Sequence, residues 1–224
     1  MPRKILPIGM APTIAQASLL PARRVMLSGE RAYGLALQMT ARAACEQKRV
    51  LFVCGDNRFD PYSVSRFARS IGARPEDALR SILIARAFTA YQMVELINRL
   101  GAKSAADLVV ISGPCSTFLD EDLSFVDAAR MFYRVLWKIV ELAQSGMALM
   151  IAQGESIASP RRAYFAADLA RASDVVLRLA GEHSFTVERH RHAALPQLPN
   201  MSIAQASTLE ACAPRRAPQR SYAS

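Results

Sequence analysis

No Cys-x-x-Cys pair occurs among the four cysteines, Cys45, Cys54, Cys115 and Cys212. Scattered in this way, they exclude a disulfide frame and a cysteine zinc site, and they read as reduced thiols. Histidine is as scarce, with three in 224 residues. His183, His190 and His192 crowd near the end of the expected domain, and two of them share a strand face. No cysteine or second histidine pair completes a site, and Arg189 and Arg191 flank them. The expectation is a basic exposed strand and no metal. No Ser-His-Asp or Cys-His signature of nucleophilic catalysis is present. No apolar run approaches the ~20 residues of a membrane span. Arg3 and Lys4 precede apolar residues broken by Pro7, Pro12 and Pro21, a poor secretory signal. The expectation is a cytoplasmic protein without a membrane partner. There is no internal repeat.

What is present suits one α/β domain with tails. Hydrophobic residues make up 51%, enough for a sizeable core. The formal net charge is +9 and the pI about 9.9, which favours an acidic partner such as nucleic acid. Residues 1–22 read as an irregular arm or an extra strand. Residues 23–195 read as the domain. Residues 196–224 hold four prolines and many small polar residues, and read as a disordered tail made basic by Arg215, Arg216 and Arg220. Short apolar runs at 25–28, 50–54, 82–85, 108–112, 148–152, 175–179 and 185–189 read as strands, several apolar on both faces. Helical patterns cover 35–47, 61–71, 90–100, 124–144 and 164–172. Alternation of the two predicts a mostly parallel sheet flanked by helices on both sides. The last two strands can form a hairpin through Gly181, Glu182 and His183.

Gly29-Glu30-Arg31-Ala32-Tyr33-Gly34-Leu35-Ala36 has the spacing of a phosphate-binding loop, G-x-x-x-x-G-K-[ST], after a strand and before a helix. Both glycines stand in register. Leu35 occupies the lysine position and Ala36 the hydroxyl position, so neither phosphate charge nor Mg²⁺ finds its usual side chain. Any strand-to-helix turn can also use two glycines.

The segments that follow carry a resemblance. Residues 51–61, Leu-Phe-Val-Cys-Gly-Asp-Asn-Arg-Phe-Asp-Pro, are similar to the second strand and turn of the RecA/RadA recombinase family. Ile84-Ala85-Arg86-Ala87-Phe88-Thr89 resembles that family's Ala-Arg-Ala-Phe-Asn/Thr segment. Residues 108–112 lie where the Walker B strand belongs. Met150-Ile151-Ala152-Gln153 resembles the strand that precedes the second DNA-binding loop, and residues 172–179 the late strand of the core. The resemblance spans about residues 23–195 and is strongest to the archaeal and eukaryotic branch. It implies a RecA-like P-loop NTPase core.

Departures from the family pattern matter as much. Leu35 and Ala36 replace Lys and Thr, and Ser112 replaces the Walker B Asp. The resemblance makes Asp56 the counterpart of the catalytic Glu, one methylene shorter, and Gln153 the counterpart of the γ-phosphate sensor. Hydrolysis needs positioned phosphate, a neutralising metal and an oriented water. The first two have lost their side chains together. Arg31 could swing onto a phosphate, or face solvent, or pair with Glu30. The expectation is a vestigial loop at Gly29, Glu30, Arg31, Gly34, Leu35 and Ala36, with Asp56 and Gln153 as vestigial catalytic positions. No cofactor is expected, and ATP with Mg²⁺ only if the degenerate loop still binds. No Phe-x-x-Ala polymerisation motif and no separate N-terminal DNA-binding domain is found.

Two surfaces carry charge. Arg130, Arg134 and Lys138 are spaced i, i+4, i+8 on the long helix, with Tyr133 and Trp137 expected on the same side. The row reads as a solvated charged face, or as a nucleic-acid surface. Arg161 and Arg162 follow Gln153 where the family has its second DNA-binding loop, and suit either phosphate contact or an ordinary loop. Asp120, Glu121 and Asp122 stand where the first DNA-binding loop belongs, and would repel a phosphate backbone. The functional expectation is a non-hydrolysing accessory protein in DNA recombination, repair or damage-tolerant synthesis. It would bind a recombinase, a polymerase or single-stranded DNA. A divergent DNA-dependent ATPase and a protein-interaction module without DNA affinity are the alternatives. Oligomerisation is open.

Overall fold

The computed structural model describes residues 5–7, 24–101, 106–120, 122–154, 163–180 and 184–189. Its strands are β1 (Ile5–Pro7), β2 (Arg24–Ser28), β3 (Val50–Cys54), β4 (Ile82–Arg86), β5 (Leu108–Ser112), β6 (Leu149–Gln153), β7 (Val175–Ala180) and β8 (Ser184–Arg189). Its helices are α1 (Ala32–Cys45), α2 (Pro61–Ser70), α3 (Pro75–Arg80), α4 (Ala90–Arg99), α5 (Phe125–Gln144) and α6 (Tyr164–Arg171). A 3₁₀ turn covers Ser116–Phe118.

All five residues of β3, of β5 and of β6 are buried. Such strands need apolar cover on both faces, which only a central place between helix layers supplies. They occupy it: among the described residues the sheet has 8 strands in the order β1-β8-β7-β2-β6-β5-β3-β4. From β4 across to β7 neighbouring strands are parallel, while β8 is antiparallel to both β7 and β1. The sheet is thus mostly parallel and flanked by helices, as the alternating pattern predicts.

Strand alternation sorts the core into two layers. Val25, Leu27, Val50, Phe52, Val110, Met150 and Leu177 point to the side covered by α1, α2 and α3. Met26, Leu51, Val53, Val109, Ile111, Ile151 and Val176 point to the side covered by α4, α5 and α6. On α5 the residues at helical spacing form the packing face: Ala129, Phe132, Leu136, Ile139 and Ala143 are all buried, and Phe125 at its start is half-buried.

Helix starts follow local chemistry. Asp60 caps α2 by accepting from the Tyr62 N–H, with Pro61 at the first helical position. Thr89 caps α4 through the Gln92 N–H, while the Gln92 side chain reaches back to accept from the Phe88 N–H. Ser124 caps α5 through the Asp127 N–H. At the opposite end of the sheet from these turns, Arg24 joins β2 to β7. Its guanidinium grips the Asp174 carboxylate through Nε (3.0 Å) and Nη2 (2.6 Å).

Two expectations need correction. Helix α1 starts at Ala32, three residues before the expected 35, and ends at Cys45 because Gln47 turns left-handed at φ 60°. Helix α3 was not expected. Of the two readings of residues 1–22, the extra strand is the one seen at Ile5–Pro7, on the open side of β8. The remainder of 1–22, the tail 196–224, the three histidines, Glu121, Arg161 and Arg162 lie outside the described residues. No helix among the described residues is long and apolar enough to cross a membrane.

Candidate functional site

Four central parallel strands each end directly in a glycine: Gly29 after β2, Gly55 after β3, Gly113 after β5 and Gly154 after β6. The turns they begin lie together at the carboxyl end of the sheet, where open α/β sheets bind ligands. Backbone hydrogen bonds tie them to one another. The Gly29 N–H donates to the Gln153 carbonyl (3.2 Å), Gly55 to Ser112 (2.8 Å) and Gly113 to Ala152 (2.8 Å). The approach is close enough to exclude side chains. A Cβ on Gly113 (φ 58°) would lie 2.5 Å from the Asp56 Cβ.

Asp56 projects from the β3 turn into this junction. Its carboxylate accepts from the Ser112 hydroxyl at 2.7 Å, from the Cys54 thiol at 3.4 Å and from the Arg58 N–H at 3.3 Å. The expected Walker B position and the expected catalytic carboxylate therefore meet, with the serine as donor. Burial pushes the Cys54 thiol up, and the Asp56 charge adds to it. Tyr33 packs beside them. Burial, then the charges of Asp56 and Cys54, raise its phenol to about 12. Its oxygen is buried without a hydrogen-bond partner among the described residues.

Gln153 is 3% exposed, and both ends of its amide are engaged. Its Oε1 accepts from the Cys115 N–H at 3.1 Å, and its Nε2 donates to the Gly154 carbonyl at 3.2 Å. It thereby links β6 to the turn after β5.

The glycine loop is shorter than its spacing suggests. Only Gly29, Glu30 and Arg31 separate β2 from α1. Gly29 makes the turn at φ 110°, and its carbonyl already accepts from the Ala32 N–H. Gly34 lies inside the helix, exposed, with open space where a Cβ would stand. Leu35 (8% exposed) and Ala36 (0%) join the core layer against β2 and β6. Arg31 and Glu30 are exposed at the turn.

The basic row on α5 divides. Arg130 and Arg134 are exposed, and Lys138 is half-buried with its Nζ held by Glu141 at 2.6 Å. Trp137 lies beside them at the surface. Tyr133, expected on the same side, is instead 4% exposed. Its hydroxyl donates to the Asp168 carboxylate of α6 at 2.6 Å, which turns the ring inward. Asp120 and Asp122 are exposed. Among the described residues no group of three His, Cys, Asp or Glu side chains is placed to hold a metal ion.

Sequence reasoning passed over Gly55, Gly113 and Tyr33. A glycine directly after each buried strand was the available signal for the first two. Fold and site together define an α/β protein with a mostly parallel sheet and a self-satisfied polar junction at its strand ends. No family model matches the chain, and no curated protein matches it.

Proposed function

We propose that the chain is a RecA-like core that no longer hydrolyses nucleotide. It acts as an accessory protein in DNA recombination, repair or damage-tolerant synthesis, in the cytoplasm, by binding a recombinase, a polymerase or DNA. One observation carries the loss of hydrolysis: the groups at the nucleotide positions are turned onto the protein itself. Leu35 and Ala36 are core residues. The Ser112 hydroxyl and the Asp56 carboxylate satisfy each other, and the Gln153 amide is bonded at both ends. A turn of three residues gives few free N–H groups to a phosphate, whereas a working loop curls several around it. These residues do not fit a triphosphate and its metal.

Strand order supports the fold assignment. In the dinucleotide-binding order the first strand neighbours the second. Here β5 and β6 separate β2 from β3, and the turn-bearing β2 lies between β6 and β7. The order of the matching segments and the charge of +9 support a role beside DNA. This step rests on fold-level analogy.

The test is calorimetric titration with Mg-ATP, followed by phosphate release with and without single-stranded DNA. The expected result is no turnover under either condition. Turnover that Asp56→Asn abolishes would sink the reading and favour the divergent ATPase.

A further inference from the structure

The single tryptophan of the chain is not in the core. Trp137 is 40% exposed on α5, while the nearby Phe118, Phe132, Tyr133 and Phe165 are all buried. Its ring helps wall an open cavity of about 560 Å³ along α5, facing Asn98 at the end of α4. Arg134, Lys138, Glu141 and Gln144 line the same cavity.

The polar groups in this groove are unequal. Lys138 and Glu141 hold each other at 2.6 Å and cancel in charge. Arg134 has no ion-pair partner among the described residues, and the Asn98 and Gln144 amides have no hydrogen-bond partner there. One turn before Arg134, Arg130 is exposed, and its ion-pair partner among the described residues is Asp127, at 3.7 Å. The groove therefore offers a flat aromatic face, one uncompensated guanidinium with a second a turn away, and two free amides. Its one carboxylate is already neutralised.

We propose that this groove between α4 and α5 binds single-stranded nucleic acid. A base stacks on Trp137, Arg134 and Arg130 take successive phosphates, and the Asn98 and Gln144 amides meet base edges. Stacking on aromatics with backbone tracking by cations is how single strands are held without sequence preference. A duplex keeps its bases stacked on one another and has no free face for the indole. The inference rests on the reading of the protein as one that works beside DNA. It deepens that reading by placing the strand on a helix face, away from the junction at the strand ends.

Because Trp137 is the only tryptophan, its emission reports on this groove alone. An end-labelled oligothymidylate of about 20 nucleotides, longer than a typical single-strand site, is titrated into the full chain. Trp137 emission and label anisotropy are followed together. The expected result is quenching and anisotropy with one midpoint, both weakening as salt rises. Trp137→Ala and Arg134→Ala each lower affinity about tenfold, whereas Trp137→Phe keeps most of it. Both positions are at the surface, and thermal melts confirm folding. Anisotropy that rises without quenching, with Trp137→Ala binding like the parent, overturns the groove but leaves the accessory reading standing. A groove that serves a protein partner gives no quenching by oligonucleotide even at low salt, which also overturns the proposal. The accessory reading falls on a different result, nucleotide turnover.

Discussion

A side chain added to Gly29 would meet the Leu179 carbonyl oxygen at 2.3 Å, whereas one added to Gly34 would meet nothing within 4 Å. The two glycines that look equivalent in the loop spacing therefore do different things. Gly29→Ala adds left-handed strain at φ 110° to a backbone clash and should cost roughly 2–4 kcal/mol. Gly34→Ala removes a flexible residue from a helix and should stabilise by about 0.5–1 kcal/mol. Denaturant midpoints of the two variants check this. Equal destabilisation would mean that the loop needs both glycines. At this scale the sequence located Asp56, Ser112 and Gln153 at or beside strand ends, because short apolar runs stop there and the resembling segments agree. Their pairing was not legible: Ser112 and Asp56 are 56 positions apart, and Cys115 and Gln153 are 38. No local pattern encodes such contacts. The inward turn of Leu35 was hidden for another reason. Gly34 was read as the turn residue, which displaced the helix start by three positions.

Elements with strong internal patterns were legible, and those that depend on a neighbour were not. The buried strands β3, β5 and β6 have apolar residues on both faces, and α5 repeats its apolar positions over 20 residues. By contrast, α3 has six residues, too few for periodicity. It was readable only from Pro75 at its start, Glu76 and Asp77 in its first turn and Arg80 in its last. Strand β1 has three residues and exists through its pairing with β8. The docking of α6 on α5 shows the same dependence. Tyr133 lies at the border of the apolar stripe, and only Asp168 on α6 decides which way it faces. Asp168 is 6% exposed and also accepts from Arg171. Tyr133→Phe keeps the ring and removes the donor, leaving a buried carboxylate with one partner fewer. The expected loss is about 1–3 kcal/mol. The second change, Asp168→Asn in the Tyr133→Phe background, should add less than it does alone, since both remove one bond. Additive losses in the double-mutant cycle would break the pin between α5 and α6.

At the scale of the molecule, buried thiols and phenols set the alkaline limit. Burial raises Cys115 and, with the Asp56 charge, Cys54, while burial and then Glu46 raise Cys45. Tyr33 is raised to about 12 by burial and the nearby Asp56 and Cys54 charges, and Tyr133 is raised by burial and its bond to Asp168. The acid side is weaker. Glu46 is lowered by its bond to Lys48, and Asp60 by its bond to Ser63, and both sit at the surface. Each raised group stays protonated in the fold at a pH where the unfolded chain has released its proton. The unfolded state then binds fewer protons, so the slope of unfolding free energy against pH is negative. That stability is complete below the unfolded thiol value of about 8.5 and starts to decline there. The phenols join near 10, and for Tyr33 the loss continues through about 12. Denaturant midpoints should therefore be level from about pH 6 to 8 and fall steadily above about 9. Cys115→Ala should make the first part of the decline shallower, because it removes from the unfolded titration a thiol that burial keeps protonated in the fold. A midpoint that stays level to about pH 11 would mean that these groups ionise alike in both states, and that the core layers around them admit water.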